Sequence, residues 1–87
     1  MKRTEVLQQI QDKINKNPES TIARENMDRI AALWSAYLGV NLSATNISDM
    51  MILQNIALAQ NHSKPVGAYM TIAGYAAYAG EFSSAQE

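Results

Sequence analysis

Residues 26–39 read Asn26-Met27-Asp28-Arg29-Ile30-Ala31-Ala32-Leu33-Trp34-Ser35-Ala36-Tyr37-Leu38-Gly39, and this stretch decides the fold. Met27, Ile30, Ala31, Trp34, Tyr37 and Leu38 recur at steps of three and four, which lays them along one stripe of an α-helix. Arg24, Asp28 and Ser35 fall off that stripe. The pattern makes Trp34 and Tyr37 core residues, since they share the stripe with Ile30 and Leu38. Gly39 stands where a helix ends in the left-handed conformation. The same helix is expected to begin near Ser20 or Thr21.

Working outward, the spacing predicts three more helices. Val6, Leu7, Ile10 and Ile14 give a first helix over about residues 4–16, with Thr4 as its cap and Glu5 against the helix dipole. Asn17-Pro18 ends it, because proline disfavours helix in the residue before it. Ser43 caps a third helix. There Ile47, Met50, Met51, Leu53, Ile56, Ala57 and Ala59 cover so much of the circumference that the helix should be central. Asn61-His62-Ser63-Lys64 breaks the pattern, and Pro65 fits the first position of a fourth helix to about Ala79. In that helix, Ala73-Gly74-Tyr75-Ala76-Ala77-Tyr78-Ala79-Gly80 places small residues every three or four positions, as close helix packing or a subunit interface requires. Residues 81–87 are polar and read as a disordered tail. No alternation of period two occurs. The expected architecture is all-α, a compact bundle of about four helices forming a single domain over residues 1–80.

Composition narrows the function. Eighty-seven residues allow one domain of modest stability, so docking or oligomerisation is a natural route to further burial. Seven basic and eight acidic side chains give a net charge of −1. That balance lacks the excess of cations by which nucleic-acid binders displace counterions, so no direct nucleic-acid binding is expected. There is no cysteine, hence no disulfide, thiol nucleophile or thiolate metal site. The opening Met-Lys-Arg-Thr-Glu does not resemble a signal peptide, and nothing approaches the ~20 apolar residues of a membrane span. The cytoplasm is the expected compartment, with no membrane partner.

Catalytic chemistry has little to stand on. Glu25 and Asp28 lie three apart and share a helix face, the spacing that holds Mg²⁺ in helical nucleotide pyrophosphatases. Such a site needs further oxygen ligands from a neighbouring helix, and Asp49 is the sole acid the third helix offers. The plainer reading is a solvated face beside Arg24 and Arg29. His62 is the single histidine and stands in a polar loop without the partners of a metal site or a triad. No serine sits in a Gly-x-Ser-x-Gly setting, and no glycine-rich phosphate loop exists. Tyr75 and Tyr78 flank the small-residue stripe and cannot both point inward, which makes them candidate contact residues.

The stretch from Asn26 to Gly39 resembles a family of short, uncharacterised phage and prophage proteins with a core close to Asn-x-x-Arg-Ile-Ala-x-Leu-Trp-Ser-Ala-Tyr-Leu-Gly. The resemblance extends to Met50-Met51-Ile52-Leu53 and Ile72-Ala73-Gly74-Tyr75-Ala76, covering about residues 24–80. Relatives usually carry a lysine on the third helix and an Asp-x-x-Val-Asp pattern before Ala-Gly-Tyr. This chain has Gln54-Asn55 and Gly67-Ala68-Tyr69-Met70-Thr71 there. The resemblance implies a scaffold kept while its polar site is lost, and a protein that works by docking onto host machinery, CRISPR effectors and other defences among it.

The expectation is a non-catalytic binding protein, with no metal or cofactor, that inhibits or redirects a host protein complex in the host cytoplasm. Glu25, Asp28, Asp49, Tyr75 and Tyr78 are its expected partner-binding residues. The alternatives are an Mg²⁺-dependent nucleotide pyrophosphatase using Glu25, Asp28 and Asp49, and a small homo-oligomeric structural protein assembled through the fourth helix.

Overall fold

A computed structural model describes residues 1–16 and 20–84, the side chains of 20–23 excepted. The chain forms α1 (Arg3–Lys16), α2 (Ser20–Leu38), α3 (Ala44–Gln60) and α4 (Val66–Ser84), with no strand among the described residues. The proline stop at Pro18 lies outside the described residues. None of the four helices is long and apolar enough to cross a membrane.

Local chemistry explains the joints. Gly39 adopts a φ of 71°, and its N–H donates to the Ser35 carbonyl at 2.9 Å, closing α2. Ser35 then ties down the loop. Its hydroxyl accepts from the Leu42 N–H at 2.9 Å and donates to the Leu42 carbonyl at 3.4 Å. Ser43 and Asn46 form a reciprocal capping box at the start of α3, with the Asn46 N–H on Ser43 Oγ at 3.2 Å and the Ser43 N–H on Asn46 Oδ1 at 2.9 Å. Two donors that the helix leaves unpaired are thereby satisfied.

The helices α3 and α4 pack along each other most extensively; α2 lies against α3, and α1 against α4. The core is Met27 and Ala31 from α2, Ala44 and Ile47 from α3, and Phe82 from α4. Ile47 and Ser48 are sealed from solvent, and the Ser48 hydroxyl finds no hydrogen-bond partner among the described residues.

Three expectations are corrected here. Tyr37 is not core: it is 89% exposed, because the last turn of α2 runs past the helices that cover Met27 and Ala31. Trp34, one turn earlier, is half-buried against the core. Nor is α3 central along its length, for Leu53, Ile56, Ala57 and Leu58 are exposed while Ile47 is buried. Lastly, residues 81–84 are not a tail. They continue α4, and Phe82 is 2% exposed. Phe82 follows Tyr78 by four residues and so stands on the same helix face; the two rings stack at 6.2 Å with 18° between their planes. The Arg24 guanidinium lies 5.4 Å from the Phe82 ring centroid. Burying one phenylalanine is worth about 1.5–3 kcal/mol, enough to add a turn to a helix whose terminal residues are otherwise polar. Residues 85–87 lie outside the described residues.

Candidate functional site

The helices α1, α2 and α4 do not close completely on one another and leave an open groove of about 340 Å³. Its apolar lining comes chiefly from Ile10 and Ile14 of α1, Met27 of α2 and Met70 of α4. Gly74 contributes a bare patch of backbone, and a Cβ placed there would meet nothing within 4 Å. Lys13, Asn26 and Thr71 supply polar groups, all three exposed. Tyr75 and Tyr78 both line the groove and both are half-buried, presenting aromatic surface and a hydroxyl to the same space.

The expectation that the two tyrosines cannot both point inward is corrected: three residues apart, they share a helix face, and both line this groove while packing against the core. Glu25 and Asp49 are exposed on α2 and α3 and line none of the described hollows. Asp28 borders a second hollow of about 330 Å³, between α2, the α2–α3 loop and Phe82. Its carboxylate lies 4.0 Å from Arg24 Nε, and both side chains are largely in solvent, so the pair contributes little. Among the described residues no group of three or more histidine, aspartate or glutamate side chains is placed to hold a metal ion. The three-carboxylate arrangement that a pyrophosphatase would need from Glu25, Asp28 and Asp49 does not form. His62 has a local task, its Nδ1 accepting the Lys64 N–H at 3.2 Å in the turn before α4.

Sequence reasoning missed the groove itself. Ile10, Ile14, Met27 and Met70 carry ordinary core periodicity, and nothing in their spacing says that α1 stops short of sealing them. Lys13 and Asn26 are plain surface residues until α1 and α2 are set beside α4.

Residues 5–83 match the family described as "Domain of unknown function (DUF6378)". The chain belongs to the DUF6378 family. The match takes in part or all of every helix and every groove residue from Ile10 to Tyr78. This DUF6378 chain is also similar to the Gene 55 protein of Mycobacterium phage L5, at 42% identity over 55 residues. That similarity covers 62% of this chain and 35% of the phage protein, so it spans about a third of the relative's length. No solved structure matches the DUF6378 chain.

Proposed function

We propose that this DUF6378 domain is a non-catalytic, phage-type binding protein that docks onto a host protein complex and inhibits or redirects it. The observation that carries the reading is the α1–α2–α4 groove, where an apolar floor and two half-buried tyrosines meet a polar rim. Tyrosine at a partly desolvated, apolar site is the usual anchor of a protein interface, because a rigid ring gives area at little entropic cost. A groove of this volume accommodates one or two apolar side chains of a partner segment. The similarity to a mycobacteriophage protein supports a phage setting; the target we propose for it is a host defence complex, such as a CRISPR effector. Glu25, Asp28 and Asp49 lie outside the groove, so in this reading they would meet the partner only where it extends beyond the groove, whose own rim is Lys13, Asn26 and Thr71.

The test is retention of host proteins from bacterial lysate by the tagged chain, followed by two variants. Gly74→Leu fills the groove without removing a core side chain, and Tyr78→Phe removes a single hydroxyl. Retention of a stoichiometric complex that Gly74→Leu abolishes and Tyr78→Phe weakens, at unchanged helical content, is the expected result. No retained protein, or retention indifferent to Gly74→Leu, defeats the reading.

A further inference from the structure

The first helix is joined to the rest of the molecule more loosely than any other. Among the described residues the backbone of α1 comes close to α4 alone, whereas α2, α3 and α4 each meet at least two neighbours. Ile10 is the one buried residue of α1, Val6 and Ile14 are half-buried, and every other side chain of the helix is exposed. Those three recur every four residues and make a single narrow stripe. Ile10 stands outside the cluster of Met27, Ala31, Ala44, Ile47 and Phe82 that ties α2, α3 and α4 together. Among the described residues no side chain of α1 makes a hydrogen bond or ion pair to another helix; the bond from Gln8 Nε2 to Asp12 Oδ1, at 2.9 Å, stays within α1.

The start of α1 is weak as well. Its first turn hangs on the Lys2 carbonyl, which accepts from the Glu5 and Val6 N–H groups at 3.0 and 3.1 Å. Lysine has no side-chain acceptor for the free N–H groups of that turn, unlike Ser43 at the start of α3. A helix of 14 residues is marginal alone in water, so α1 keeps its order by docking its stripe. Ile10 is the middle member of that stripe and its sole sealed one, so its release frees both ends at once.

We infer that α1 is a strap over the groove, which comes off α4 as one unit while α2, α3 and α4 stay folded. Ile10, Lys13 and Ile14 form one wall of the groove, and Met27, Met70, Tyr75 and Tyr78 lie across from them. With α1 in place the groove is narrow; with α1 away, the same four residues become one open apolar and aromatic face. The position of α1 therefore sets how much of that face a partner reaches. This regulatory role rests on the groove being the docking site, whereas the opening itself does not.

Amide hydrogen exchange of the unmodified chain, followed by NMR at increasing urea, is the test. After correction for intrinsic rates, the amides of α1 should exchange at least about tenfold faster than those around Ile47. They should do so through one shared opening, with a smaller urea dependence than global unfolding. Protection that merely fades from Ile14 towards Arg3 would be end fraying and would overturn the strap. So would α1 amides that exchange only when the whole molecule unfolds. Ile10→Gln should speed exchange throughout α1 by a further factor of about ten, and Val6→Gln, outside the groove, by less. Ile10→Gln should also gain binding of the dye 8-anilinonaphthalene-1-sulfonate at the uncovered face while α3 keeps its protection. Leu7→Gln, on the exposed side of α1, should change neither readout. Loss of α3 protection in Val6→Gln would make α1 part of the core and defeat the inference. A shared opening without any retained host protein upholds the strap and defeats the docking reading. Retention abolished by Gly74→Leu, with no separate opening of α1, does the reverse.

Discussion

The last turns of α4 and α2 each carry an aromatic residue, and the two meet opposite fates. Phe82 is enclosed by the core, stacked beside Tyr78 and covered by the Arg24 guanidinium. Tyr37 points into solvent from a helix whose other stripe residues are at least half-covered up to Trp34. The lesson is that burial at a helix end depends on what crosses there. Phe82 sits where α2 passes over the end of α4, and its ring completes the space between Met27, Ala31 and Ile47. Tyr37 sits in the last turn of α2, where its neighbour Leu38 is also exposed and none of the described helices covers it.

Phe82→Ala is the sharpest way to break that contrast. It removes a sealed ring from a five-residue core, and should cost about 3–5 kcal/mol in urea unfolding. If it costs no more than a surface change, the end of α4 is not held as described. Ser48→Ala should act in the other direction. The Ser48 hydroxyl is buried and unpaired, so its removal should raise stability by about 1 kcal/mol, read from the same unfolding midpoint. Arg24→Ala tests the cover over Phe82 and should cost about 0.5–1 kcal/mol, more than Asp28→Ala, since the Arg24–Asp28 pair is solvated. Tyr37→Ala should be nearly silent, within about 0.5 kcal/mol, when unfolding is followed at low concentration.

Much of the architecture was legible because it rests on local chemistry. The periodicity of Met27, Ile30, Ala31 and Trp34, the glycine after Leu38, the serine before Ala44 and the proline before Val66 each act within one or two turns, so a linear reading finds them. The same reading placed Tyr37 and Leu38 in the core, because periodicity reports which face is apolar and not whether anything covers it. It assigned Glu81 to Ser84 to a tail, because a lone phenylalanine among polar residues gives no period at all. Of the expected contact residues, Tyr75 and Tyr78 converge on one groove while Glu25, Asp28 and Asp49 stay dispersed.

By itself, then, the sequence determined four helices, the stop at Gly39 and the cap at Ser43, an all-α single domain and a chemistry without thiols or excess charge, while the cap expected at Thr4 falls inside α1, whose first turn hangs on the Lys2 carbonyl. Those properties follow from interactions between residues a few positions apart, whose geometry the helix itself imposes. Tertiary structure alone decided that Phe82 is sealed and Tyr37 bare, and that Ile10 and Met70 share a groove. Each of those outcomes depends on where one helix crosses another, and the crossing is set by the packing of Met27, Ala31, Ala44, Ile47 and Phe82, residues far apart in the chain.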